Sequence, residues 1–182
     1  TGQSSQTACA AGTYQASTGQ SSCDDADAGH YVDTAGSPSQ TACAAGTYNP
    51  DTASSSSAAC LDADAGHYVD SQGQPSQTEC QNGTWQASAG QSSCDDADAG
   101  HYVDSTASTS QTECAIGTYQ NQTGQESCID ADPGHYVDSA GQSSQTACGD
   151  DSYQPDSAQD SCLDADPGHY VDTNASASQA EC

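Results

Sequence analysis

The chain has 182 residues, 26 acidic side chains and neither Lys nor Arg, so its formal net charge is -26. Only 19 side chains are large and apolar, counting Tyr, Trp, Val, Ile and Leu. These are too few for the single core that a compact domain of this length buries, which excludes a globular core and most enzyme folds. Without Lys or Arg nothing neutralises phosphate, so nucleic acid and anionic membrane surfaces are excluded as partners.

The cysteine content indicates where the protein resides. Eleven Cys in a chain this polar are typical of an oxidising compartment and a disulfide framework, which predicts an extracellular or cell-surface location. No apolar run approaches 18 residues, so no membrane insertion is expected. The chain starts at Thr1, without Met and in mid-pattern, and we expect it to be a processed or partial piece of a longer protein.

An aromatic residue recurs every 17 residues, except for an interval of 20 between Tyr48 and Tyr68. A Gly stands two residues before each aromatic except at Asp151. Because Asp tolerates left-handed backbone better than most residues, we expect a positive φ throughout this column. The aromatic residues are Tyr14, Tyr31, Tyr48, Tyr68, Trp85, Tyr102, Tyr119, Tyr136, Tyr153 and Tyr170.

The 17-residue units alternate between two types, five of each, and form a 34-residue repeat. Type A reads Cys-x-x-Gly-Thr-Tyr, as in 9–14, and type B reads Asp-Ala-Asp-Ala/Pro-Gly-His-Tyr-Val-Asp, as in 25–33. One repeat has three extra residues in the stretch Ser54–Ser57, which predicts an insertion in a loop. The predicted boundaries are a partial repeat at 1–8, repeats at 9–42, 43–79, 80–113, 114–147 and 148–181, and the start of the next repeat at 182.

Each unit contains a short strand signal, a turn-rich segment and a second polar strand, which together predict a small β-hairpin. No apolar side chains follow the i, i+3, i+4 spacing of a helix, so no helix is expected. A hairpin this small must pack against its neighbours, as solenoid units do. The predicted fold class is all-β, small and disulfide-rich: an elongated solenoid-like rod of stacked hairpins.

The cysteine spacing allows two pairings of neighbours. One pairing closes the gaps of 14 residues, together with Cys43–Cys60, and leaves Cys182; the other closes the gaps of 20 and leaves Cys9. Either way, one Cys stays free or pairs outside this segment. Zinc sites need Cys residues two to four positions apart, so metal binding by Cys is not expected. The cysteines are Cys9, Cys23, Cys43, Cys60, Cys80, Cys94, Cys114, Cys128, Cys148, Cys162 and Cys182.

The type A pattern, with a second Cys nine residues after its Tyr, resembles the ephrin-receptor-like cysteine-rich repeat, a relative of the tumour-necrosis-factor-receptor module. The family commonly reads Cys-x-x-Cys-x-x-Gly-x-Tyr. The resemblance implies extracellular tandem arrays of small β modules, as in extracellular microbial repeat fibrils, with a disulfide inside each A unit, which favours the first pairing. The second Cys of the family pattern is Ala in every B unit: Ala26, Ala63, Ala97, Ala131 and Ala165.

The type B motif places carboxylates at positions 1, 3 and 9 around a Gly, which predicts either a calcium loop or a solvated turn. The second interpretation is favoured, because position 5 is Gly and position 12 has no Glu, unlike an EF-hand. Ca²⁺ is therefore a candidate cofactor only under the first interpretation. Its ligands would be Asp25, Asp27, Asp33, Asp62, Asp64, Asp70, Asp96, Asp98, Asp104, Asp130, Asp132, Asp138, Asp164, Asp166 and Asp172.

The histidines and aromatics recur identically in each copy. A catalytic site needs a group particular to one copy, so we predict no enzyme and no catalytic residue. The aromatics form either a ladder for stacking a ligand or, as we favour, bodies packed on the Gly and disulfide of the adjacent hairpin. The histidines are His30, His67, His101, His135 and His169.

Asn82, Asn121 and Asn174 lie in Asn-x-Ser/Thr sequons and are candidate N-glycan sites, and the many hydroxyls are open to O-glycosylation. The favoured function is a structural component of an extracellular filament or surface stalk, with covalent glycans and with other copies or repeats as partners. The alternative is a receptor-like or adhesin binding module with calcium-stabilised repeats. Ice binding comes third, because the Thr residues form no uninterrupted column.

Overall fold

The structure, a computed structural model, describes residues 7–182 and contains ten antiparallel hairpins, which we number 1 to 10; odd numbers are type A and even numbers type B. This confirms the predicted all-β class, and one 3-10 turn, Ser57–Ala59, lies in the inserted stretch. The strand pairs are β1 (Thr13–Tyr14) with β2 (Asp24–Asp25), β3 (His30–Tyr31) with β4 (Thr41–Ala42), β5 (Thr47–Tyr48) with β6 (Leu61–Asp62), β7 (His67–Tyr68) with β8 (Thr78–Glu79), β9 (Thr84–Trp85) with β10 (Asp95–Asp96), β11 (His101–Tyr102) with β12 (Thr112–Glu113), β13 (Thr118–Tyr119) with β14 (Ile129–Asp130), β15 (His135–Tyr136) with β16 (Thr146–Ala147), β17 (Ser152–Tyr153) with β18 (Leu163–Asp164), and β19 (His169–Tyr170) with β20 (Ala180–Glu181).

The hairpins belong to two compact units. The first unit runs up to Cys80 and includes Gln86–Cys94, and the second comprises Gln81–Trp85 and Asp95–Cys182. Hairpin 5 therefore contributes its strands to the second unit and its loop to the first. The predicted rod shape and repeat boundaries stay predictions.

Within each unit, backbone hydrogen bonds join successive hairpins in one repeated scheme. In the second unit, for example, Gly117 N of hairpin 7 donates to Val137 O of hairpin 8 at 2.9 Å. The loop of hairpin 8 donates from Gly141 N to Cys114 O, at the junction of hairpins 6 and 7, also at 2.9 Å. The residues that flank the two-residue strands thus bond across hairpins, while the strand residues themselves pair within their own hairpin.

The Gly column is required by a close approach between hairpins two apart. Gly117 has a φ of +82°, and a Cβ on it would overlap the carbonyl oxygen of Ala158 in the loop of hairpin 9. A side chain is thus excluded by both backbone conformation and space. Asp151, the exception in this column, has a φ of 66°, which confirms the prediction of left-handed backbone at that position.

A second left-handed column lies in the loops, seven residues after the first, and the sequence analysis did not predict it. Six hairpins place Gly there, and four place Ala, with φ between 54° and 59°. An L-residue with a Cβ is disfavoured in this region by about 1–2 kcal/mol. The four are Ala53, Ala107, Ala158 and Ala175.

Besides the largely buried Gly column, the interior has two columns of buried side chains, and neither contains the aromatics. The residue after each aromatic is Val in every B hairpin and Gln or Asn in every A hairpin; Val69 is 2 % exposed and Asn49 is 0 % exposed. A second column alternates between Ala and the first Cys of each A hairpin, as in Ala63 and Cys80, both 0 % exposed. The aromatic rings are half-buried, and Tyr170 is exposed.

The buried amides organise the loops of the A hairpins. Gln120 Oε1 accepts from Gln122 N at 3.1 Å, and its Nε2 donates to Ser127 O at 2.8 Å. A buried polar side chain is tolerated when it is bonded in this way. In the hairpin with the insertion, the shorter Asn49 takes this place, and its Nδ2 donates to Ser54 Oγ at 2.9 Å.

We expect Ala158→Gly to raise the free energy of unfolding by about 1 kcal/mol, because Gly relieves the strain of a left-handed Ala whose φ is 59°. Chemical denaturation measures the change. Ala115→Gly is the matched control, since Ala115 is exposed and has no positive φ; it should lose stability by up to about 1 kcal/mol. Equal losses in both variants would contradict the prediction.

Candidate functional site

Each A hairpin is closed by a disulfide between its first and second Cys, and Cys182 is free and exposed. This is the first of the two pairings that the spacing allows. The Cα atoms of the pairs are 5.6–5.8 Å apart, within the usual range for disulfides. The bonds are Cys9–Cys23, Cys43–Cys60, Cys80–Cys94, Cys114–Cys128 and Cys148–Cys162.

Each B hairpin is closed instead by a pair of side chains that we call the Asp–Gln clamp. In hairpin 4, Asp64 N donates to Gln77 Oε1 at 2.6 Å, and Gln77 Nε2 donates to Asp64 Oδ2 at 2.7 Å. The second bond joins an amide to a carboxylate, which strengthens it. The other clamps are Asp27 with Gln40, Asp98 with Gln111, Asp132 with Gln145, and Asp166 with Gln179.

The clamp uses the second Asp of the motif considered for calcium, and the other two carboxylates lie elsewhere. In the first copy, Asp25 belongs to strand β2, Asp27 is held by Gln40, and Asp33 accepts from Thr34 Oγ1 at 3.0 Å. Over residues 7–182, no three His, Cys, Asp or Glu side chains gather as a metal site. In this copy, Asp27 and Asp33 therefore have different hydrogen-bond partners.

The residue that follows each Gly of the first column, or Asp151, is Thr or Ser in A hairpins and His in B hairpins. The hydroxyl of every A hairpin, and the imidazole of three B hairpins, contacts a carbonyl of its own turn. Thr47 Oγ1 donates to Ala44 O at 2.8 Å, and His30 Nδ1 lies 3.3 Å from Ala28 O. All five A-hairpin hydroxyls of this column have such a bond. A hydroxyl committed to its own turn is not free for an ordered array facing ice, and the histidines of three copies have a similar local contact.

The comparison with known families agrees with this geometry. Residues 66–114 match the family model described as "Tyrosine-protein kinase ephrin type A/B receptor-like". This segment is similar to the ephrin-receptor-like repeat. It contains hairpins 4 to 6 and the disulfide Cys80–Cys94, so the match confirms the resemblance that the cysteine pattern predicts. No curated protein matches the chain.

The ephrin-receptor-like match and the five disulfides describe a disulfide-rich repeat domain. In the described part of the chain, no helix is long and apolar enough to cross a membrane. The sequence analysis missed the clamp glutamines, although a signal was present. Every B unit carries Gln three residues before its closing Cys, and this column falls where the A units carry their second Cys.

The three sequons differ in how the fold presents them. Asn82 Nδ2 donates to Glu126 Oε2 at 3.2 Å, and Thr84 of the same sequon bonds to Gln81 O. In the sequon of Asn174, the middle residue bonds through its backbone to Cys148 O. By contrast, all three residues of the sequon at 121–123 are exposed, in the loop of hairpin 7, so the sequon of Asn121 is the most accessible of the three.

We expect chelation of divalent cations to leave the melting temperature unchanged, because each clamp Asp is already bonded to Gln. Circular dichroism in EGTA, with a Ca²⁺ add-back, measures it. A lower melting temperature that Ca²⁺ restores would contradict this interpretation and support the calcium loop.

We expect Asn121 to carry the highest glycan occupancy of the three sequons, since its side chain is exposed and free of hydrogen bonds. Mass spectrometry of native material measures occupancy; peptides must come from a protease other than trypsin, as the chain has no Lys or Arg. Asn121→Gln should remove most N-linked mass, and Asn82→Gln should remove little. A glycan on Asn82 with Asn121 bare would contradict the prediction.

Proposed function

We propose that this chain is a structural component of an extracellular filament or surface stalk, built from disulfide-closed tandem repeats. The observation that carries the proposal is the sameness of the contact between hairpins. In both units, the Gly N–H of a hairpin donates to a carbonyl of the next hairpin. The loop of that next hairpin donates an N–H back to the carbonyl of the residue that begins the first hairpin. A surface that repeats in this way suits extension of a structure, since each added repeat forms the bonds of the one before it.

Several properties support an extracellular place for this role. Disulfides persist in oxidising surroundings and are rare in the cytosol, and the chain has five. The high negative charge limits uncontrolled lateral association. The partner in the proposed role is another copy or repeat of the same kind, and the exposed Cys182 is available for a covalent link to it. No catalysis and no cofactor belong to this role, and covalent glycans would coat its surface.

One observation favours the alternative, a receptor-like binding module. A shallow groove of about 360 Å³ lies between hairpins 6 and 7, lined by Tyr102, Asp104, Glu113, Thr118 and Glu126 among others. The position of Glu126, two residues before the second Cys, is Ser in two of the other four A hairpins, Ala at 58 and Asp at 160, so Glu occurs there in this hairpin alone. This groove is therefore particular to one repeat, as a binding site would be.

We expect native material to form filaments in negative-stain images. It should resist trypsin, which finds no Lys or Arg to cleave, and should lengthen or bundle as added salt screens the carboxylates. Strong reductant should soften or disperse it. Protein that runs as a monodisperse monomer by light scattering, with Cys182 a free thiol, would overturn the filament and leave the stalk or binding module.

A further inference from the structure

A and B hairpins correspond position by position, and the second column of the interior shows the correspondence. The slot filled by the first Cys of an A hairpin is filled by Ala in a B hairpin; Cys80, which begins hairpin 5, and Ala63, which begins hairpin 4, are both fully buried. The backbone hydrogen bonds agree. Cys80 N, at the end of hairpin 4, donates to Gly66 O at 2.9 Å, and Ala97 N, at the end of hairpin 5, donates to Gly83 O at 2.8 Å.

The second Cys of an A hairpin corresponds to the clamp Gln of a B hairpin. Gln77 lies 14 residues after Ala63, the separation of Cys80 and Cys94. Gln77 and Cys94 are both half-buried. The Asp that completes the clamp follows the buried Ala directly, so the clamp joins the two ends of the B hairpin at the place where a disulfide joins those of the A hairpin.

The two halves of the clamp occur together or not at all. A hairpins have Ala, Gln or Gly at the position of the clamp Asp, namely at 10, 44, 81, 115 and 149, and they have Cys at the position of Gln. All five B hairpins have both Asp and Gln, and all five have both hydrogen bonds. Such co-occurrence is what a closure made by the pair requires.

We propose that the Asp–Gln clamp replaces a disulfide as the closure of every B hairpin, so that alternate hairpins stay closed when the disulfides are reduced. A phosphine reductant gives two electrons to each disulfide and takes an oxygen atom from water to become the phosphine oxide, and the two protons of that water complete two thiols; this opens the A hairpins. The clamp has no bond that a reductant can break, and its two hydrogen bonds persist. Reduction then loosens the chain at every second hairpin without unfolding it, and this holds whether or not the protein forms filaments.

Hydrogen exchange at two equivalent amides tests the proposal. Thr47 N in hairpin 3 donates to Ala44 O, and His67 N in hairpin 4 donates to Asp64 O; both lie in the first unit. In wild-type protein treated with phosphine, exchange of the Thr47 amide should accelerate about a hundredfold, because a short closed loop is lost. Exchange of the His67 amide should change less than about twofold. Equal acceleration at the two amides would overturn the proposal.

Variants of hairpin 4 separate the clamp from other causes. In reduced protein, Gln77→Ala should accelerate exchange of the His67 amide about tenfold, by removing both clamp bonds. Gln72→Ala is the matched control, since Gln72 is an exposed Gln of the same hairpin with no side-chain hydrogen bond, and it should leave that rate unchanged. Equal rates in the two variants would count against the clamp.

A disulfide built into the same place provides a further measurement. The double variant Ala63→Cys with Gln77→Cys should form a new disulfide in air, so that its two added thiols are no longer detected as free. This disulfide should protect the His67 amide from exchange until phosphine is added. Two thiols that stay free would contradict the correspondence between clamp and disulfide. This arm and the wild-type comparison decide the proposal even if Gln77→Ala does not fold.

Discussion

The contact on which the rest of this structure depends is the approach of a loop carbonyl to a Gly two hairpins earlier. At Gly29 the carbonyl of Gly73 lies where any Cβ would be. The approach brings backbone donors and acceptors of neighbouring hairpins within bonding distance, so that the groups flanking each two-residue strand are satisfied there. The side chains need only fill the small spaces that remain between the closely packed backbones, and the small residues Ala, Val and Cys are large enough for this.

Buried amides are the second consequence of so small an interior. A Gln placed between Val residues would be unfavourable in an apolar core, but Gln154 bonds to the backbone at both ends of its own loop, donating to Ser161 O and accepting from Asp156 N. The amide thereby fixes the loop that must reach the Gly of another hairpin. Closure of the hairpin, by disulfide or by clamp, then holds the two strands at the spacing that this loop requires.

Features that recur with the repeat could be predicted from the sequence. Interactions between residues far apart within one repeat could not. The hairpins, their 17-residue spacing and the positive φ of Asp151 follow from the repeated Gly and aromatic residues. The bond between Asp64 and Gln77 spans 13 residues, and neither side chain is unusual where it stands. The sequence predicts that the aromatics pack on the adjacent hairpin, and all but Tyr170 are half-buried; it does not single out Val69 and Asn49, which follow aromatics and are 2 % and 0 % exposed. Left-handed backbone at four Ala residues has a weaker signal, namely that six other hairpins have Gly at the same position of the repeat; the four are Ala53, Ala107, Ala158 and Ala175.

The insertion in hairpin 3 lies in a part of the loop that makes none of the backbone bonds to other hairpins. Ala53 N and Ser54 O make the bonds to hairpins 1 and 2 that the corresponding residues make elsewhere, and the added residues follow, turn once at Ser57–Ala59 and lead into Cys60. In hairpin 3, the segment between Ser54 and the second Cys therefore accommodates added residues. A foreign peptide placed there would be displayed on a loop that the disulfide Cys43–Cys60 holds at its base.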